Sequence, residues 1–546
     1  MQRLRAKIIE TKEIGKKTTE QGFTSTETLC KVKIGDAVHK SLKFPDGTKD
    51  REHWVLREAI FPWELNKDNQ IVLHPDETQD VIHPIQIQPL VNLEEKQVRT
   101  GIQIYEPDEA VKTLEWKADF GKLGTTEGIA ERVDRLHLNG ELTLKVEDEL
   151  TPGAYLGKVK CGDEKAIEVA LTVISPGTSI LYTLDINRDG FAEKVLENTY
   201  LRAVVTPHFG AGLRQLWYKA RNLNQFAEVH HHENTEGFLD IGGHQDHIEN
   251  QGWPGELWNA EYTEAETGIS QVTYRFELQK TKGVTISREI EIPPDTPFVY
   301  QRVILSYAGK KDDKAEKKEG EEKSDDKEKA PKPDEVELVY KPRVRVALGG
   351  DATFDQVVKI PTQEKLHTWR VEDSDWGGCE DYFGFQAGFA LAHDESTGST
   401  FALFTDPKAV DYFRRCYSGE KIIVRTYTFE PYSRKVKLGI GKQVSYGYLY
   451  AVGSASACTQ EGMAMFSEGE TFDGQIPIFL IARHIDDVSQ CIAQLSWDGG
   501  SAEVRMHCVE YRGVGGIWQG KASIPLASRP TLNVTVNLDD TSLVLA

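Results

Sequence analysis

Residues 195–219 read VLENTYLRAVVTPHFGAGLRQLWYK. Two runs rich in Val, Leu, Tyr and Trp flank a segment punctuated by Pro207, Gly210 and Gly212. Proline fixes φ and glycine reaches backbone conformations closed to other residues, so two strands joined by a turn are expected here.

Immediately upstream, residues 181–194 (LYTLDINRDGFAEK) gather Asp185, Asn187, Asp189 and Glu193 around Gly190. A D-x-N-x-D-G spacing turns three side-chain oxygens to one side of a tight loop, with the glycine supplying positive φ. The Phe191 carbonyl and Glu193 extend that set toward the roughly six to eight oxygens that Ca²⁺ takes. The twelfth position, where a helical calcium loop carries a bidentate Glu, is Leu196, so the loop is of a shorter kind, between strands. A structural calcium staple is expected. An Asn/Asp-rich hairpin turn without metal is the alternative.

Further out, RLHLNGELTLKVE, KAIEVALTVIS, QVTYRFELQK, KIIVRTYTFEP and LNVTVNLDDTSLVL alternate apolar and polar residues and are rich in Val, Ile, Thr and Tyr. That period of two predicts strands, and no long amphipathic helix competes with it. The expected class is all-β. One segment stands apart: residues 310–335 carry 9 Lys and 11 acids in 26 positions, with no aromatic. Such a stretch has too little apolar surface to offset its ordering entropy and is read as a disordered insertion joining two strands.

At 546 residues the chain is long enough for several domains. A net charge of −21 argues against a nucleic-acid partner, because phosphates demand a basic face. No run of about 18 apolar residues occurs, so no membrane span is expected. The opening MQRLRAKIIETKEIGKK shows no apolar core of a signal peptide. The seven cysteines (Cys30, Cys161, Cys379, Cys416, Cys458, Cys491, Cys508) lack CxxC spacing, which suits neither a disulfide scaffold nor a zinc site. Buried free thiols are expected, with Cys491 facing Cys508 across strands as the alternative.

Pro/Gly punctuation divides the chain into an N-terminal β-sandwich at 1–110, a short module at 111–178 that could merge with it, a large block at 180–456 and a C-terminal sandwich at 457–546. The pattern LTPGAYLGKVKCGDEKAIEVALTV resembles the closing strands of bacterial immunoglobulin-like modules. Within the large block, 195–219 resembles the opening strand pair of the galactose-mutarotase-like (aldose-epimerase-like) β-supersandwich. GVTISREIEIPPDTPFVYQRVILSYAG, FGFQAGFALAHDESTGSTFALF and TYTFEPYSRKVKLGIGKQVSYG resemble later strands of that superfamily, in the same order. The resemblance implies a central supersandwich flanked by immunoglobulin-like β-sandwiches. Supersandwich epimerases move a proton with histidines and a glutamate, but their phrase N…NLT.HSYFNL has no counterpart here, so no catalytic residue is carried over by position.

Two polar, aromatic stretches remain as candidate sites. Residues 228–262 hold His230, His231, His232, His244 and His247 with Asp246, Glu256, Trp253 and Trp258, and read as a long loop or short strand edges, where sites concentrate. Tryptophans there could stack on sugar faces while His232 and the carboxylates bond hydroxyls. His244, His247, Asp246 and Glu256 are the candidates for acid–base work, and His244, His247 and Asp246 could alternatively hold Zn²⁺ or Mn²⁺. The stretch HTWRVEDSDWGGCEDYFGFQ adds Trp369, Asp375 and Trp376 as a possible sugar groove. No G-x-S-x-G, P-loop or dinucleotide fingerprint appears. The expected function is a calcium-stabilised carbohydrate-binding or surface-assembly protein, extracellular or at the cell surface. Its partner would be a glycan or polysaccharide, or copies of itself and other surface proteins. The alternative is a carbohydrate-active enzyme (sugar epimerase, polysaccharide lyase or glycosidase) using His/carboxylate chemistry.

Overall fold

The computed structural model describes the chain from 97 to 545 apart from 107–108, 136, 146–150, 163–165, 176, 187–191, 228–241, 250–254, 259, 310–334, 372–377, 419–424, 454, 461, 468–474, 483–490, 498–499, 512–513, 524–532 and 539–540; before residue 97 it describes the strand segments 3–18, 24–34, 52–56, 62–65, 71–72 and 85–87. The protein is all-β. Among the described residues there is no α-helix, and every strand pair is antiparallel. No described helix is long and apolar enough to cross a membrane.

The strands fall into successive sheets. Arg3–Thr18, Thr24–Ile34, Glu52–Leu56, Pro62–Leu65 and Ile71–Val72 form a five-stranded sheet, and a seven-stranded sheet has its strands from Ile85–Ile87 to Ile167–Val173. Gln97–Tyr105, which lies before the expected boundary at 110, pairs along its whole length with His137–Lys145 in that second sheet. The large block is a ten-stranded sheet facing a nine-stranded one, and an eight-stranded sheet from Ala455–Cys458 to Thr541–Leu545 closes the chain.

The opening stretch forms the predicted strand pair, Leu201–Thr206 against Gly212–Tyr218. Gly210 at the turn has φ +67, and a Cβ there would meet the Leu257 carbonyl at 2.6 Å and that of Trp258 at 2.8 Å. Only glycine fits so close a backbone approach. Leu201, Ala203, Val205, Leu213 and Leu216 project inward from this pair to meet Val284, Ile286, Ile290, Val303 and Leu305 of the facing sheet in one shared core.

The two sheets differ in what covers them. Val284–Glu291 alternates buried and half-buried residues, the pattern of a strand with one face in the core. Leu201–Thr206, Gly212–Tyr218, Gly243–Ile248 and Thr426–Ser433 are buried at every position, so the centre of the ten-stranded sheet is covered on both faces. At one end of that outer face, Ala170 of the seven-stranded sheet packs with Leu184, Ile186, Val195 and Val204. Between the nine-stranded sheet and the C-terminal one, Phe389, Phe404 and Leu449 meet Met463, Met465 and Ile517.

One pair of cysteines departs from expectation. Cys379 and Cys416, directly opposite on neighbouring strands, form a disulfide. Cys491 lies opposite Met506 and Cys508 opposite Trp518, so those two do not face each other. Cys161, Cys458 and Cys491 are buried free thiols. Scattered sequence positions carry no sign of a 37-residue closure, because the two strands are brought together only by sheet register. The charged insertion, residue 335 apart, lies outside the described residues.

Candidate functional site

Residues 228–262 are not one continuous loop. Gly243–Ile248 is a central strand of the ten-stranded sheet, paired along its length with Tyr340–Val346. A strand turns alternate side chains to opposite faces. His244 and Asp246 therefore point into the core, while Gln245 and His247 point outward.

The inward pair lies in a sealed polar network. His244 Nε2 donates to Asp246 Oδ1 at 3.0 Å, and its Nδ1 accepts from the Tyr450 hydroxyl. Asp246 also accepts from the Tyr340 hydroxyl at 2.6 Å, from Tyr262 at 3.4 Å and from the Arg288 guanidinium at 3.4 Å. Arg288 in turn donates to the Gln301 side-chain oxygen and to the Ala211 carbonyl at the turn of the opening strand pair. Burial and then the Arg288 charge push His244 down to about 4, so the imidazole is neutral. Burial alone would raise Asp246, but Arg288 and its hydrogen-bond donors hold it at about 2. His244, Asp246 and Arg288 are at most 1% exposed. The network is an ion pair with its acceptors filled, which fixes the two sheets against each other. It offers no solvent-facing acid or base.

The other sequence candidates are dispersed. His247 faces outward, its Nε2 3.4 Å from Glu249, so His244 and His247 stand on opposite faces. Among the described residues no group of three or more His, Cys, Asp or Glu could hold a metal ion. Glu256 accepts from the backbone amides of Gln279 and Lys280. Trp258 is buried with the Arg343 guanidinium 5.1 Å from its ring centre. Trp369 packs against Tyr417 and Tyr427, with Arg415 over its ring at 3.9 Å. His232, Trp253, Asp375, Trp376, Asn187, Asp189 and Phe191 lie outside the described residues. Asp185 and Glu193 follow and open adjacent strands, with Leu184 opposite Glu193, whose Oε2 accepts from the Ile186 amide at 2.8 Å.

The outward face holds an arrangement that the sequence does not announce. Five adjacent strands, Gly243–Ile248, Tyr340–Val346, Thr426–Ser433, Val410–Ser418 and Gly378–Phe383, lie side by side in that order. Their register lines up Gln245, Arg343, Glu430, Arg414 and Asp381 in one row. A parallel row holds His247, Lys341, Tyr432, Tyr412 and Phe383. Lys341 Nζ donates to Glu430 at 2.8 Å, and Arg343 Nε lies 3.3 Å from the same carboxylate. Arg414 clamps Asp381 through two nitrogens at 2.6 and 2.9 Å and donates to the Tyr432 hydroxyl. Tyr412 and Tyr432 stack with ring centres 4.3 Å apart, and Phe383 lies 5.5 Å from Tyr412.

Gln245 is the anomaly in this face. It is 2% exposed, yet among the described residues neither its side-chain oxygen nor its nitrogen has a hydrogen-bond partner. Leaving such an atom unsatisfied costs about 1–3 kcal/mol, and buried orphans concentrate where a ligand or function accounts for them.

No family model matches the chain, and no curated protein matches it. Among solved structures it is similar to a TPR-domain containing protein from Parabacteroides distasonis (12% identity, 54% of this chain and 48% of that one, TM-score 0.36). It is also similar to a galactose mutarotase-like protein from Clostridium acetobutylicum (9%, 50% and 98%, 0.34). A galactose mutarotase related enzyme from Lactobacillus acidophilus is a third likeness (9%, 50% and 98%, 0.33). The chain thus spans about half the length of the first of these, and none of the three reaches a TM-score of 0.5.

Proposed function

We propose that this protein binds carbohydrate at the exposed edge of the outer face of its ten-stranded sheet. The observation that carries the reading is the open edge of that face, where the exposed Phe383 ring and Tyr412 lie beside the Arg414–Asp381 pair. There Arg414 supplies donors, Asp381 supplies acceptors, and Tyr412 and Phe383 supply apolar faces for sugar C–H groups. Binding is favoured over catalysis because the His244–Asp246 pair is enclosed and fully bonded. Export to the cell surface belongs to the same reading.

Phe383→Ala tests it, since the ring is exposed and its loss should leave the fold intact. On a glycan array the variant should lose about three- to tenfold in affinity, as expected when one stacking ring is removed. Binding unchanged in the variant, or no glycan bound by the parent protein, overturns the reading. Separately, Gln245→Leu should raise the melting temperature by about 2–6 °C, because an orphaned amide leaves the core.

The proposal includes a calcium staple formed by Asp185, Asn187, Asp189, the Phe191 carbonyl and Glu193. Its support is that adjacent strand ends bring Asp185 and Glu193 together. Binding to the folded form alone adds about 2.7 kcal/mol when free calcium is about a hundredfold above its dissociation constant. Chelator should lower the melting temperature, and Asp189→Ala should remove that dependence. Identical melting curves with and without chelator would dispose of the staple.

A further inference from the structure

We infer that the Cys379–Cys416 disulfide places the exposed edge under redox control, an inference that rests on the carbohydrate reading above. Reduction frees the part of the edge strand that carries Asp381, and glycan binding weakens. Gly378–Phe383 is the last strand of the ten-stranded sheet, so a single neighbour, Val410–Ser418, pairs with it. Cys379, Asp381 and Phe383 alternate along the strand and stand opposite Cys416, Arg414 and Tyr412. Alternate positions share a face. The outer face of this edge is therefore a disulfide, an ion pair and an aromatic contact in succession. The disulfide is the immediate neighbour of the pair that would donate to and accept from a sugar.

Among the described residues, little else ties down the Asp381 half of the strand. Of Gly378–Phe383 only Tyr382 is buried. Tyr382 and, just beyond the strand, Phe385 anchor the Phe383 end in the core, each 3% exposed. Phe385 stacks there on Phe413 with ring centres 5.1 Å apart. Gly378, Cys379, Glu380 and Asp381 are all exposed. Glu380 and Asp381 reach Arg415 and Arg414 through partly exposed ion pairs, and such pairs contribute little. The covalent bond is the firm tie at that end, and an edge segment without core anchors opens locally at low cost.

The bond is also within reach. Cys379 is exposed, whereas Cys161, Cys458 and Cys491 are enclosed as thiols. Exposed disulfides are the more readily reduced ones. A dithiol attacks the Cys379 sulfur, and Cys416 leaves as a thiolate that takes up a proton. The second thiol then attacks the mixed disulfide, releases Cys379 as a thiol and closes the dithiol into a cyclic disulfide. Two electrons pass from the dithiol to the protein pair. Asp381 then leaves Arg414, and the site loses its acceptor while Tyr382 keeps Phe383 in place.

The experiment compares the oxidised full chain, the same chain in dithiothreitol, and the double variant Cys379→Ser with Cys416→Ser. Hydrogen exchange reads the strand with no sugar present, and a glycan array reads the site. On reduction the amides of residues 379–381 should lose most of their protection while Phe385 keeps its own. Glycan affinity should fall about tenfold, as follows if the strand is seated about a tenth of the time. The double variant should match the reduced protein and not respond further to dithiothreitol, which separates this pair from the other cysteines. A disulfide that resists dithiothreitol in the folded protein overturns the inference. So does unchanged exchange at 379–381, or faster exchange with unchanged glycan affinity. In each of those cases the carbohydrate reading stands. No glycan bound by the oxidised protein overturns that reading and the redox inference with it.

Discussion

Asp246→Ala is expected to destabilise the central sandwich by about 3–5 kcal/mol, read as a shift of the denaturant midpoint at unchanged slope. The carboxylate is the counter-charge of Arg288, and both are wholly buried between the two sheets. Removing it leaves a guanidinium in the core whose remaining acceptors, among the described residues, are the oxygens of Gln301 and of the Gly210–Ala211 turn. It also strips partners from the Tyr340 and Tyr262 hydroxyls and from His244. A stability loss under about 1 kcal/mol would mean that the network is peripheral. The same cluster sets a pH dependence. His244 has a folded pKa near 4 against an ordinary 6.5, so between those values the unfolded chain binds the extra proton. Stability is then complete above about pH 6.5 and falls as pH drops toward 4, by about 3 kcal/mol in all. His244→Gln should flatten that slope, while the parent protein keeps it.

The strands were legible because a period of two leaves a mark at each position, and the Pro–Gly punctuation at 207–212 placed the turn. The polar network was half legible. His244 and Asp246 attract notice as a His/carboxylate pair, but reading them together with His247 ignores the alternation that puts His247 on the opposite face. The stretch reads as a loop because polar residues are usually exposed. In fact its inward polar groups are satisfied by Tyr340, Tyr450 and Arg288, residues about 40 to 200 positions away that no local pattern can pair. Gln245 and the rows beside it were illegible for the same reason. A single glutamine carries no motif, and its neighbours come from strands whose register is fixed by the whole sheet.

Glu197→Ala is expected to have an effect of the same size at the other end of the opening stretch, and to loosen the seven-stranded sheet from the sandwich. Glu197 is fully buried, with Arg202 Nε at 2.6 Å and Lys219 Nζ at 2.7 Å from its oxygens. The Tyr182 hydroxyl also donates to it. Its fourth partner is the Thr172 hydroxyl at 2.9 Å, contributed by the last strand of the seven-stranded sheet. Loss of the carboxylate leaves two cations without their shared counter-charge, a change that costs about 3–5 kcal/mol in buried ion pairs. Burial by itself would raise the pKa of Glu197, but Arg202 and Lys219 hold it at about 2, below the ordinary 4.5. The unfolded chain therefore takes up the proton first. The stability the pair contributes is present above about pH 4.5 and lost as pH falls toward 2. Calorimetry of the full chain should show the module melting ahead of the sandwich in Glu197→Ala. A triple variant, Glu197→Leu with Arg202→Met and Lys219→Met, separates the two causes. Recovery of most of the stability assigns the loss to unpaired charge, because well-packed apolar residues often replace a buried ion cluster at little cost. A triple variant as unstable as the single one would instead make the ion cluster itself the joint between module and sandwich.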